Sequence, residues 1–182
     1  MTTVVGFDSE TTGLKVEAGH RIIEVAFVGY SLETRKKLFA FEKRINPHRA
    51  IEPKAQLIHG ISQADLIGKP SFKEVEPFIT KIFEKSDIAI AHNIDFDIGF
   101  LFEEYRLIGK QVPDAQGFDT MSEGRWATSF GKNPNLEELC FACEVPYDRG
   151  AAHAALYDVE RMMECFFFAL DNGGYDIKGL LK

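Results

Sequence analysis

The sequence predicts an α/β fold: a mixed five-stranded sheet, three antiparallel strands first and parallel strands after, flanked by helices. Three observations lead there. Three strand-like runs open the chain with little between them. Short apolar runs and helical periodicities then alternate. The order that results, βββ-α-β-α-β-α-α, fits a sheet with helices on both faces.

The elements follow in order. Thr3–Asp8, Arg21–Tyr30 and Lys37–Ile45 read as strands, and their spacing makes them antiparallel neighbours. Asn46-Pro47-His48 ends the third. Ser71-x-x-Glu74 reads as a capping box that opens a helix. Val75, Phe78, Ile79, Ile82 and Phe83 give that helix one apolar face. Pro77 removes a backbone donor inside this pattern, so the helix either kinks there or begins there. Asp87–Ala91 is a short buried strand. Phe96–Ile108 is a helix closed by Gly109. Gly117–Thr120 supplies a fifth strand, and Leu136–Cys143 and Ala154–Leu170 are helices.

At 182 residues the chain predicts one domain, 1–182, with a core over about 3–170 and a short C-terminal tail, 171–182. An apolar content of 45%, including 16 Phe, is that of a packed globule. The N-terminus lacks the basic and long apolar regions of a signal peptide, and no apolar run suits a bilayer span. A cytoplasmic protein with no membrane association is the expectation. Cys140-x-x-Cys143 lies in a helical pattern with both thiols on the apolar side. No second Cys pair or nearby His completes a zinc site, so core packing is expected. With a net charge of −7, a broad basic groove for long nucleic acid is not expected.

Asp8, Glu10, Asp97 and Asp158 account for four of those seven excess charges. Asp8 and Glu10 lie two apart at a strand end, and a period of two points both to one face. Like charges so placed are costly unless a cation lies between them. Hard oxygen ligands suit Mg²⁺ or Mn²⁺. Thr11-Thr12-Gly13-Leu14 then makes a tight turn able to bring backbone N–H groups to a phosphate or sugar. In His92-Asn93-Ile94-Asp95-Phe96-Asp97, Asp95 is expected to cap a helix and Asp97 to lie in its first turn. Phe96 is either core or a surface for a base, and Asn93 holds the turn. His153 and Asp158 are five apart, a rotation of about 140° on a helix. His153 is therefore expected on the incoming loop and Asp158 in the first turns of the helix. A loop histidine near neutral pH is suited to take a proton from water. Carboxylates for two divalent metals plus such a base are the equipment of phosphodiester cleavage.

These three motifs closely resemble those of the DEDD exonuclease superfamily, in its subgroup with a catalytic histidine. The likeness is greatest to the epsilon-type proofreading exonucleases of bacterial DNA polymerase III. Phe7–Leu14, Ala91–Phe100 and His153–Asp158 carry it, and it spans roughly Val4 to Leu170. Arg21-Ile22-Ile23-Glu24, Ile58-His59-Gly60-Ile61 and Asp119-Thr120 agree as secondary landmarks. The resemblance implies a ribonuclease H-like fold and 3′→5′ exonuclease activity that releases nucleoside monophosphates. It implies two metals, Mg²⁺ or Mn²⁺. Asp8, Glu10 and Asp158 surround one; Asp8 also holds the second; Asp97 acts partly through water. His153 deprotonates the attacking water. Thr11, Leu14, His59, Asn93 and Phe96 are the implied substrate contacts. The implied partner is a nucleic-acid 3′ end, DNA (single-stranded or frayed) before RNA, with a DNA polymerase in trans as a further one. Lys54 stands where an acid is frequent in the family, Asp95 adds a charge near Asp97, and the tail shows no obvious polymerase- or clamp-binding segment. A stand-alone nuclease therefore stays open, as does an RNA-trimming enzyme. A catalytically inactive binding module on the same fold would be expected to lack one of the five motif residues, all of which are present.

Overall fold

The computed structural model describes residues 1–181. Five strands form one sheet: β1 (Thr3–Thr11), β2 (Ile22–Ser31), β3 (Lys37–Arg44), β4 (Ile88–Ala91) and β5 (Gln116–Asp119). Their spatial order is β3-β2-β1-β4-β5. β1 pairs antiparallel with β2, and β2 with β3, while β4 lies parallel to both β1 and β5. The first-half antiparallel, second-half parallel sheet expected from the sequence is the one observed. Among the described residues five α-helices accompany it: α1 (Pro53–His59), α2 (Phe72–Glu84), α3 (Ile94–Leu107), α4 (Leu136–Ala142) and α5 (Ala155–Asp171). Among the described residues no helix is long and apolar enough to cross a membrane.

Alternation along β1 divides the core in two. Val5 and Phe7 face α2 and α3, where Val75, Ile79, Phe83, Phe100 and Tyr105 cover them. The Phe83 ring meets those of Phe7 and Phe27 edge-on, at 5.6 and 5.5 Å between centroids. Val4 and Gly6 face the other way, toward α5. A Cβ on Gly6 would lie 2.6 Å from Met163 Cγ and 3.0 Å from Val159 Cγ1. The missing side chain lets α5 lie almost on the backbone of β1. Asp158 precedes Val159, so this contact fixes how far Asp158 stands from β1.

Four details differ from the sequence reading. The connection after β3 contains a helix, α1, to which the sequence analysis assigns no element; Pro53 at its first position and left-handed Gly60 after its end (φ 71°) are its local signals. α2 starts at Phe72, with Ser71 and Glu74 forming the expected capping box, and runs on through Pro77. Pro77 is exposed, and so is Lys73, whose carbonyl its N–H would have bonded; water can replace the lost donor. Residue Asn93, not Asp95, occupies the cap position of α3, in the left-handed region at φ 76°. Asn is one of the few side chains that tolerate this conformation. Asp95 lies exposed within the first turn. Finally, the core extends past residue 170. Tyr175 and Ile177 are buried, and the Tyr175 hydroxyl donates to the Thr120 carbonyl at 2.8 Å. Lys182, the last residue of the expected tail, lies outside the described residues.

Cys140 and Cys143 are buried together with Cys165 between α4 and α5, as free thiols. The core role expected for the Cys-x-x-Cys pair is the one they have.

Candidate active site

Three elements converge at one end of the sheet. β1 contributes Asp8 and Glu10, opposite Ala26 and Glu24 of β2. Both point to the α5 face, because β1 stays regular to Glu10. The first turns of α5 bring Asp158 to the same place. The first turn of α3 brings Asp97, which is buried. Ser9 projects to the face opposite Asp8 and Glu10, and there its hydroxyl donates to Asp97 Oδ1 at 2.5 Å.

His153 lies on the loop before α5, exposed and at φ 62°. Its backbone N–H donates to Asp158 Oδ2 at 2.9 Å, and the Tyr147 hydroxyl donates to Oδ1 at 3.2 Å. Both oxygens of Asp158 are thus held from the loop side. Glu10, His153 and Asp158 present ligand atoms within 4.8 Å of one another. The motif residues of β1, α3 and α5 are therefore brought together, with the loop and helix placements of His153 and Asp158 as expected.

The electrostatics are lopsided. Burial raises Asp8 well above the ordinary carboxylate range, and Asp97, Glu10 and Asp158 raise it further. Glu10 is pushed up to about 9 by burial and then by Asp158, Glu24 and Asp97. Asp97 is raised to about 7, mainly by burial and against the Ser9 hydroxyl, which favours its charged form. Asp158 is raised by burial and eased by the His153 backbone N–H. Every charged neighbour acting on Asp8 and Glu10 is another acid. Glu24 itself is neutralised by Arg44 Nε at 2.8 Å. Hard oxygens, close together and without an internal cation, are the donor set of a divalent metal site, and the residues fit such ions.

The cleft in front of these groups has a volume of about 630 Å³ and is lined by Asp8, Asn93, Tyr147, Arg149, His153 and Asp158 among others. Asn93 stands at its edge, its backbone N–H donating to Asp119 Oδ1 at 2.9 Å. The other expected substrate contacts differ in character. Leu14 is exposed beyond the end of β1. Thr11 is buried, and its hydroxyl donates to the Gly13 carbonyl at 2.9 Å, closing the turn rather than facing the cleft. His59 ends α1; its Nδ1 accepts from the Ile61 N–H at 3.0 Å, and its Nε2 is buried, with the Thr11 backbone close to the ring. Burial lowers its pKa, so the ring is biased toward the neutral form. Phe96 is half-buried on Phe100, with centroids 5.0 Å apart, and so belongs partly to the core.

A family model described as Exonuclease matches residues 5–166. The chain belongs to this exonuclease family. Among curated relatives of the exonuclease, the DNA polymerase III subunit epsilon of Escherichia coli is 30% identical over 174 residues, which cover 91% of this chain and 70% of that protein. The subunit of the same name from Treponema pallidum is 36% identical over 163 residues, covering 88% and 73%. Solved structures share the fold. Exonuclease X in complex with 5′-overhanging duplex DNA superposes with a TM-score of 0.70 at 23% identity, over 95% of this chain and 94% of that one. The nuclease domain of 3′hExo, a DEDDh family member bound to rAMP, gives 0.76 at 18%, over 94% and 92%. The ribonuclease H-like architecture of the exonuclease is thereby shown.

Sequence reasoning missed Ser9 and Tyr147. Ser9 alternates away from the two acids, and only the position of α3 gives its hydroxyl a partner. Tyr147 is eleven residues before Asp158, in a loop, and no spacing rule links them.

Proposed function

We propose that this exonuclease removes nucleotides one at a time from the 3′ end of DNA, single-stranded or frayed, and releases nucleoside monophosphates. The observation that carries the reading is the clustering of Asp8, Glu10, Asp97 and Asp158 at one end of the sheet, beside His153 and, among the described residues, with only acids as the charged neighbours of Asp8 and Glu10. Asp8, Glu10 and Asp158 would hold one divalent ion, Mg²⁺ or Mn²⁺, and Asp8 with Asp97 would complete the place of a second. When bound, the ions neutralise the carboxylates and stabilise charge developing on the attacking and leaving oxygens.

The protein's own groups do the rest. His153, exposed at the mouth of the cleft, takes the proton of the attacking water. Its backbone N–H on Asp158 ties the position of that base to a metal ligand. Ser9 and Tyr147 fix the rotamers of Asp97 and Asp158. Leu14 and the exposed part of Phe96 offer apolar surface to the terminal nucleotide, and the His59 ring would have to turn its buried Nε2 outward to add a polar contact. The acidic exterior gives little hold on internal sites of a long duplex. The relatives named as polymerase subunits support association with a DNA polymerase in trans.

A linear single strand labelled at its 5′ end tests this reading, with an RNA of the same sequence and a circular DNA in parallel. A descending ladder in Mg²⁺ or Mn²⁺, none in excess chelator, and an intact circle are expected. A circle cut as fast as the linear strand would make the enzyme an endonuclease. Faster loss of the RNA would transfer the activity to RNA.

A further inference from the structure

Beside the catalytic cleft lies a second hollow of about 750 Å³ that none of the motifs reaches. Asn135, Glu137 and Arg149 line both, so the two are continuous. Its walls carry two bare aromatic rings. Phe130 is fully exposed, at 106% of its reference surface, and Phe141 is 87% exposed. Phe130 also has a left-handed backbone, φ 67°, which is unfavourable for a bulky side chain. The Thr128 hydroxyl, 2.6 Å from the Lys132 carbonyl, holds that turn. Neither strain nor exposure brings Phe130 any packing in return, and such features collect at ligand sites. Two cations stand at the rim: Lys132 on Glu138 at 2.5 Å and Arg149 on Glu137 at 2.7 Å. Exposed ion pairs hold their partners weakly, so both cations are free to turn to a phosphate.

We propose that this hollow is a subsite for unpaired nucleotides upstream of the scissile bond, with Phe130 and Phe141 as stacking surfaces and Lys132 and Arg149 as phosphate contacts. The inference rests on the 3′-exonuclease reading and adds a path for the strand. Its direction follows from continuity. Asp8, Asp158 and His153 line the first hollow, and Asn135, Glu137 and Arg149 join it to the second. A strand whose 3′ end lies at the acids therefore has an open way past Arg149 into the second. Bare rings suit bases of any sequence, because every base has a π-face. The arrangement also answers the acidic charge of the chain: hold on the strand comes from stacking and two local cations rather than from a basic surface.

The test compares a trinucleotide with a single strand of roughly 12 nucleotides, a length single-strand grooves span. The Phe130→Ala/Phe141→Ala double variant should fold normally, since both rings are exposed, and its melting temperature checks this. KM for the long strand should rise roughly 10- to 100-fold, the effect of losing one or two stacked bases. Its kcat, and both constants for the trinucleotide, should stay at the wild-type level. Phe130→Trp should keep the wild-type KM. Anisotropy of a labelled long strand with Ca²⁺ in place of Mg²⁺ should show the same weakening without turnover. An unchanged KM for the long strand overturns the subsite and leaves the exonuclease reading intact. Equal losses on both substrates overturn it as well, by making the effect one on the catalytic cleft. If the wild type degrades neither strand, the exonuclease reading fails, and the anisotropy alone decides the subsite.

Discussion

Gly6→Ala should disable the enzyme while leaving it folded. The new Cβ would lie 2.6 Å from Met163 Cγ and 2.7 Å from Met163 Sδ, against an ordinary carbon contact of about 3.5 Å. Relief therefore needs about 0.9 Å of separation between β1 and α5, or a new Met163 rotamer that also clears Val159 at 3.0 Å. Overpacking of this size costs about 1–3 kcal/mol. For a chain of this length that lowers the melting temperature by about 2–12 °C. The effect on turnover should be larger in proportion. Asp158 rides on α5 and Asp8 on β1, so the same movement opens the carboxylate cage. A misplacement of about 1 Å can cost about 10²-fold in rate. The assay is kcat on a single-stranded oligonucleotide, with circular dichroism melts alongside. Met163→Ala makes room, so the Gly6→Ala/Met163→Ala pair should lose less than the sum of the two single losses. Wild-type kcat in Gly6→Ala, or strict additivity in the pair, would refute the close-contact argument.

Other outcomes follow from the same geometry. Glu10 is raised from 4.5 to about 9, so its contribution to metal-free stability is complete below about pH 4.5 and lost as pH rises through about 9; melts of the metal-free protein should fall across that window, and Glu10→Gln or saturating Mg²⁺ should flatten the fall. His153→Ala should lower kcat by roughly 10²–10⁴-fold while Mg²⁺ still raises the melting temperature; equal loss of both would make His153 chiefly a ligand. Ser9→Ala removes the hydroxyl that favours ionised Asp97, already raised to about 7, and should move the acid limb of the pH–rate profile upward; an unmoved limb would detach Asp97 from that limb. Tyr147→Phe should cost roughly 10- to 100-fold in kcat, the value of one hydrogen bond to a charged group, with little change in the apo melting temperature.

The sequence by itself determined the antiparallel pairing of the first three strands, because short connections leave β1, β2 and β3 little other choice. It also determined the chemical identity of the site. A two-residue spacing on a strand puts Asp8 and Glu10 on one face whatever surrounds them, and a five-residue spacing keeps His153 off the helix of Asp158. Local signals went less far where two of them competed. Pro77 argued against the helix that Ser71 and Glu74 began, and the helix won because Pro77 falls on its exposed side. Asn93 took the cap expected of Asp95 because the turn out of β4 requires a left-handed residue there.

Distances between elements remote in sequence were decided only by tertiary structure. Nothing near Gly6 in the chain says that Met163 will lie against it, and nothing near Asp158 points to Tyr147. The same holds for Ser9 and Asp97, 88 residues apart. Burial of Tyr175 and Ile177 depends on a space between β5 and α5 that exists only once both have docked. The raised carboxylates follow from this too: periodicity fixes which residues face a site, but desolvation and repulsion depend on how closely the layers pack around it.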